Sequence, residues 1–595
     1  MTHTSRVRRT AAITSGAIGL ALASAAVTGL PARGAGPTGD CTPAYDVSTL
    51  QRDDAVTGLT VSKGTTPEPF SGTVIGTLKD GIAPGIDMIM IKFDSAALQD
   101  AGGIWQGMSG SPVYKDGKLI GAVAYGLAYG PSPIAGVTPF SDMDDYLTGT
   151  PAAKVTVDRT QAARIAAASD VSRDQAAQGF TQLPIPMSVT GLSSNRARQL
   201  AGVDEPWNRG VSYATGRAGT AAVDASSIVA GGNVAASAAY GDVSFAGVGT
   251  VTSVCNGRIV AFGHPFNNLG ETTLGLHPAD ALYVQADSLG SPFKVANIGA
   301  PAGVIDQDRR TGISGALGTA PDAAVVSSSV TAGGKSRTGT TDVYVPDALA
   351  AATFNEFLAN HDRVFDTIGA GRENQTWEIT GTENGTPFTL QWADTYVDNS
   401  DITFASVFEL ADFVYAVSSL PGVTVDEVAI TSDITREHTT LKLTGVERKT
   451  ASGWVAVTRK APVVAKPGRT VALRAVLKAP DGTLSYQEFG LAIPTGKLRG
   501  GSVSIVGGLN DYLDSYSLTS IADAQTELER ALRNDQIGVR ARFNGKELSI
   551  KKSQSKLDPL TTVVVGEKDI EIVGPNGRPG SLHSTGGGVV SVPRH

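Results

Sequence analysis

Cysteine and histidine are scarce in this chain. Two cysteines, Cys41 and Cys255, and seven histidines serve 595 residues. They form no group with the spacing of a zinc site, so no metal is expected. Charged residues make up only 18% of the chain, and the formal net charge is −8. Outside the N-terminal leader no strong basic patch is present, and nucleic-acid binding needs clustered Lys and Arg. Beyond the leader no apolar run approaches the roughly 20 residues of a transmembrane helix.

Glycine and apolar residues are abundant. There are 70 glycines, and hydrophobic residues make up 41%. That composition favours turn-rich β structure with sizeable cores over helical bundles. At the N-terminus Arg6, Arg8 and Arg9 precede an apolar, small-residue run from Thr10 to Leu30. Pro31 to Ala35 offers a small-residue cleavage region, so residues 1–40 read as signal peptide and linker. A secreted or extracytoplasmic location follows, with no membrane span after cleavage. In an exported chain the two cysteines are expected to form one disulfide, Cys41–Cys255. The rival is a buried Cys255 and a free Cys41 in a flexible tail.

The most informative segment is Gly107-Met108-Ser109-Gly110-Ser111-Pro112. Glycines on both sides of Ser109 permit a sharp turn that leaves N–H groups free. A serine nucleophile needs an exposed hydroxyl beside such donors, and Gly107 and Ser109 are the natural oxyanion pair. Gly-x-Ser-Gly is also ordinary turn chemistry. Here a hairpin follows it, Val113 to Val123, turning at Asp116-Gly117. Ser111 is the next candidate nucleophile.

A base is sought among the histidines. His264 follows the strand pattern Arg258 to Phe262, itself downstream of an Asn256-Gly257 hairpin turn. Gly263 beside it permits close approach of another segment. His277 is the competitor, and either could instead be a loop histidine bonded to backbone.

The Ser109 run, and the Gly263-His264 pair after a hairpin, resemble the SpoIVB-type serine peptidases. That resemblance implies a trypsin-like fold of two barrels, Ser109 as nucleophile, His264 as base and a peptide or protein substrate. It also implies an aspartate upstream of the Gly-Gly-Ile segment, which falls on Asp94. Asp94 or Ser95 could equally cap a short helix; Asp242, Asp280 and Asp306 are alternatives for the acid. In the sporulation peptidase that names the family, the histidine segment precedes the serine segment. Here the order is reversed, so the domain reads as permuted; triads are defined by geometry, not chain order.

The expected fold is mainly β: a permuted trypsin-like double β-barrel, then a β-sandwich and a small α+β C-terminal region. Residues 60–150 form the barrel unit with Ser109, 151–209 a helical connector, and 210–345 the barrel unit with His264. An α+β connecting region spans 346–424. An immunoglobulin-like sandwich follows at 425–500, from short alternating strands at regular spacing. A small α+β region covers 501–574, and 575–595 is a Gly/Ser/Pro-rich disordered tail. The functional expectation is a secreted serine endopeptidase that needs no cofactor, with a cell-envelope partner for the C-terminal β domains. The alternatives are a catalytically silent extracellular scaffold and an esterase using the same residues.

Overall fold

The computed structural model describes residues 41–575, apart from 129, 144–153, 169–170, 184–186, 190–191, 209–222, 289–290, 499, 545, 548–555, 558–559 and 561. The leader and nearly all of the expected tail lie outside the described residues. Among the described residues no helix is long and apolar enough to cross a membrane. The chain is mainly β, and its first half builds two closed six-stranded barrels.

The first barrel comprises β1 (Ala55–Thr60), β2 (Glu68–Ala83), β3 (Ile86–Asp94), β4 (Pro112–Lys115), β5 (Lys118–Leu127) and β6 (Ile134–Pro139). The ring runs β1-β2-β3-β6-β5-β4 and closes where β4 pairs with β1. The β4–β5 hairpin turns on Asp116 and Gly117, at φ 51° and 71°. Two positive φ values match the right-handed twist of the strands. Phe93, Trp105 and Val123 belong to one core cluster, and Met88, Tyr125 and Phe180 to a second; alternate residues of β3 feed the two, so they lie on opposite faces of its sheet. Helix α1 (Ala96–Ala101) follows β3, with Ser95 accepting from the Leu98 N–H as N-cap and Gly102 in the left-handed region as its stop. Helix α2 (Phe140–Met143) follows β6.

Residues 154–208 contain more than the helices expected of a connector. Helices α3 (Arg159–Ala168), α4 (Arg173–Ala176) and α5 (Ser194–Leu200) alternate with short strands β7 (Lys154–Val155), β8 (Phe180–Gln182) and β9 (Met187–Val189). Strand β8 adds to β5 of the first barrel, and β9 pairs with the second.

The second barrel is β10 (Asn233–Gly241), β11 (Phe245–Cys255), β12 (Arg258–Ala261), β13 (Gly270–Gln285), β15 (Gly303–Arg309) and β16 (Gly312–Leu317), with β14 (Phe293–Ile298) paired to the outer length of β13. Its ring runs β10-β13-β15-β16-β12-β11 and closes through β10 and β11. The β11–β12 hairpin turns on Asn256 and Gly257, again both at positive φ. The barrels meet directly. Gly64 and Ala281 exchange two backbone hydrogen bonds, and the Thr250 N–H donates to the Ser109 carbonyl at 2.8 Å. Cys41 and Cys255 are joined by a disulfide that ties the chain before β1 to the β11–β12 hairpin.

The same sheet continues past β10 through β18 (Lys335–Val343), β17 (Ala324–Ala332), β21 (Val423–Thr435), β19 (Gly371–Glu383) and β20 (Thr386–Asp398). Helices α6 (Leu349–Phe365) and α7 (Ile402–Ser418) pack on it. Helix α6 is apolar around most of its circumference because it is sandwiched between the sheet and α7. Arg196 of α5 is fully buried and bridges Asp362 of α6 and Asp401 at the N-cap of α7. The connector is thereby anchored on this layer.

The C-terminal boundaries differ from the sequence expectation. Strand β21, expected to open the sandwich, pairs in parallel with β17 and antiparallel with β19. The two-sheet sandwich instead draws strands from 440 to 573, including those assigned to a separate α+β region. Helix α8 (Ile521–Arg530) leaves that sandwich and packs its apolar face on the preceding layer. Strand pairing is settled by which apolar faces meet, and linear spacing does not record that.

Candidate active site

Ser109 lies on the turn between α1 and β4. Gly107 and Gly110 on either side have φ of 89° and 95°. Gly110 is needed for space as well as conformation. A Cβ there would sit 1.8 Å from the Thr250 carbonyl oxygen of the other barrel. Thr250 and Thr252 donate their hydroxyls to the Gly107 and Gly110 carbonyls at 3.1 and 2.8 Å. Ser111 donates to the Met108 carbonyl at 2.6 Å and sits 2.9 Å from the Thr60 hydroxyl. It braces the turn and is a poor nucleophile in that position. Among the described residues, neither the Gly107 N–H nor the Ser109 N–H donates to a protein acceptor. Two adjacent free donors on one turn are what a developing oxyanion requires.

His264 comes from the second barrel. Strand β12 ends at Ala261, and Phe262 and Gly263 then both adopt positive φ, 70° and 71°. Such a φ is strained for a bulky aromatic. Burial of the Phe262 ring against Gly249 holds it there. The kink turns His264 out of the ladder toward the serine turn. Thr138 of β6 donates to the Gly263 carbonyl at 2.7 Å and fixes the approach from the first barrel.

The result is a contact of 2.9 Å between His264 Nε2 and Ser109 Oγ. His264 Nδ1 lies 2.9 Å from the Pro265 carbonyl oxygen, which can only accept. The proton is therefore on Nδ1, Nε2 is the acceptor, and the Ser109 hydroxyl donates to it. That is the tautomer a general base needs. Burial pushes the His264 pKa down to about 4, with the Pro265 hydrogen bond opposing the shift. The ring is thus neutral over the whole physiological range.

The aspartate expected to orient His264 is not at the imidazole. Asp94 is exposed at the end of β3 and accepts from the Gln99 side chain at 2.9 Å. The adjacent Ser95 caps α1, so this short segment serves as a helix start. Asp242 pairs with Arg337, and Asp306 with Arg258. Asp280 lies on β13 opposite Asn297 of β14. His277, the competing base, is buried in the second barrel against Ser237. Among the described residues no group of three His, Cys, Asp or Glu side chains could hold a metal ion.

Two residues at the site were not singled out from sequence. Lys294 on β14 is fully buried along Gly107, and its Nζ donates to Asn233 Oδ1 at 2.8 Å. Burial pushes its pKa down to about 7. Its backbone N–H donates to the Gln106 carbonyl, so the second barrel also pins the approach to the Ser109 turn. A lone lysine within an apolar stretch was the available signal. Asp308 on β15 is buried beneath the segment that follows His264. No local pattern marked it.

With this geometry in place, comparison with known families has one outcome. Residues 47–138 match the SpoIVB peptidase S55 family. The match points to a serine peptidase and covers the barrel that carries Ser109. No curated protein and no solved structure matches the chain. The S55 segment therefore carries the Ser109 turn and its hairpin, while His264 lies well outside it.

Proposed function

We propose that the protein is an extracytoplasmic serine endopeptidase working through a Ser109–His264 dyad. Ser109 Oγ attacks the scissile carbonyl while His264 Nε2 takes its proton. The Gly107 and Ser109 N–H groups bind the oxyanion of the tetrahedral intermediate. His264 then protonates the leaving amine, and water, activated by the same imidazole, releases the acyl group. No cofactor is required by this chemistry.

One observation carries the reading. The 2.9 Å serine–histidine contact joins two barrels at a turn whose amides are unclaimed. The S55 match on the serine barrel supports it independently. The test is labelling with a fluorophosphonate, which reacts with an activated serine. Adduct mass on Ser109, absent in Ser109→Ala, is the expected result; no adduct under any condition overturns the reading.

A second reading, a catalytically silent scaffold, is favoured by burial. Ser109 is 1% exposed and His264 is fully buried. A polypeptide reaches such a dyad only after the surrounding segments move apart. Labelling that appears only in mild denaturant, or with a bound partner, would assign the protein to a latent peptidase.

A further inference from the structure

The loop after His264 is Pro265, Phe266, Asn267, Asn268 and Leu269, returning at Gly270 to β13. Asp308, opposite Gly270 in the β13–β15 ladder, points into this loop. One carboxylate oxygen accepts from the Phe266 N–H at 2.7 Å. The other accepts from the Asn267 N–H at 2.8 Å and the Leu269 N–H at 3.0 Å. Asp308 is fully buried and forms no ion pair among the described residues. A run of backbone amides converging on one anion is its compensation.

Pro265 and Phe266 share one peptide unit. Its carbonyl accepts from His264 Nδ1, and its N–H donates to Asp308. The imidazole and the carboxylate are therefore bonded to opposite ends of the same planar group. Hydrogen bonds in series through an amide polarise one another. A negative charge at the N–H end makes the carbonyl oxygen a stronger acceptor. It also fixes the plane in which that oxygen presents itself.

From this we infer that Asp308 is the positioning residue for His264, acting through the Pro265–Phe266 peptide. The inference rests on the dyad proposed above. It places the function of a triad acid on a residue that never touches the imidazole. It also accounts for how a buried imidazolium is tolerated during turnover, since the polarised carbonyl and the charge behind it both favour a positive ring. Burial raises the Asp308 pKa while the loop amides oppose the rise, so the clamp itself favours the ionised form.

The test uses the full-length exported protein and its Asp308→Asn and Asp308→Glu variants. Asparagine keeps the shape but replaces one acceptor oxygen by a donor. Hydrolysis of dye-labelled unfolded casein should lose about 10²-fold in kcat with KM unchanged, the size expected for a misplaced base. Glutamate, which keeps charge and both acceptors, should recover part of that loss. Independently of turnover, the His264 Nδ1–H proton resonance should move upfield in the folded Asp308→Asn variant, as its hydrogen bond weakens, and less in Asp308→Glu. If wild-type protein neither cleaves casein nor takes up fluorophosphonate, the peptidase reading fails, and this resonance still tests the positioning role. An unchanged resonance in a folded Asp308→Asn variant overturns the inference, as does a kcat of that variant equal to wild type in an active preparation.

Discussion

Two of the buried serine–histidine pairs among the described residues lie in the barrels. Ser109 meets His264 at 2.9 Å, and Ser237 meets His277 at 2.6 Å. In both, Nδ1 faces a backbone carbonyl, Pro265 in one and Gly299 in the other. Burial lowers both histidines to about 4. The pairs differ in their backbones. Ser237 lies within β10, paired with Ala246 of β11 and Gly275 of β13. Ser109 lies on a glycine turn outside any strand, and its amide and that of Gly107 are unclaimed. On the proposed reading, a hydrogen-bonded serine and a neutral histidine do not suffice for acyl transfer. The backbone must also offer donors to the charge that develops.

The sharpest way to break this comparison is to delete each pair in turn. Ser109→Ala or His264→Ala should abolish hydrolysis, by up to about 10⁶-fold in kcat, and the double variant should be scarcely worse. Ser237→Ala should leave kcat within tenfold of wild type. Comparable losses from both serines in steady-state assays would erase the distinction between the pairs.

The next largest difference should appear in the glycines. Gly110→Ala would drive a Cβ to 1.8 Å from a backbone oxygen, at a φ of 95°. We expect a loss of more than about 4 kcal/mol or failure to fold. Gly275→Ala near the second pair meets the Ser237 and His277 side chains at 2.6 and 2.7 Å. Side chains yield more readily than backbone, so the cost should be about 1–3 kcal/mol. Denaturant titration of the two variants ranks them.

Acid should affect both pairs alike. Burial holds each histidine at a pKa of about 4, against the ordinary imidazole value of 6.5. Between those values the unfolded chain binds more protons than the native one. Stability is therefore retained above about pH 6.5 and lost as pH falls toward 4, by roughly 3 kcal/mol per histidine at most. The catalytic consequence is specific to His264. The acid limb of kcat/KM should fall near pH 4, well below the limb of an ordinary imidazole. A limb near 6.5 would show that the catalytic form is solvated and open.

The smallest effect should come from Asp94. Asp94→Asn should change kcat by less than tenfold, because the side chain is exposed and bonded to Gln99. A loss of several orders of magnitude would place Asp94 at the imidazole in the working enzyme.

Sequence made the chemistry more legible than its support. Ser109, His264 and both hairpin turns are marked by glycine, because turn geometry restricts which residues can stand there. Helix α5 follows from its capping Ser193, and α6 and α7 from apolar runs. Asp308 was invisible, since its role depends on which strand lies opposite Gly270. Asp94 stands at the family spacing, yet α1 begins beside it and the side chain is left at the surface. The sandwich limits failed for a related reason: β21 has the alternation of any sandwich strand, and only pairing assigns it to another sheet.

The Cys41–Cys255 bridge encloses 214 residues of sequence separation, with Ser109 inside the loop and His264 shortly beyond it. Cutting the chain at any single bond within that loop yields two fragments that remain one molecule. Ser109 and His264 therefore cannot be parted by a single proteolytic nick within that loop. A processed protein would run as a single band without reductant and as two bands with it. Trimming of the loop by another protease, or by the protein itself, is in this sense a reshaping step rather than a dissociation.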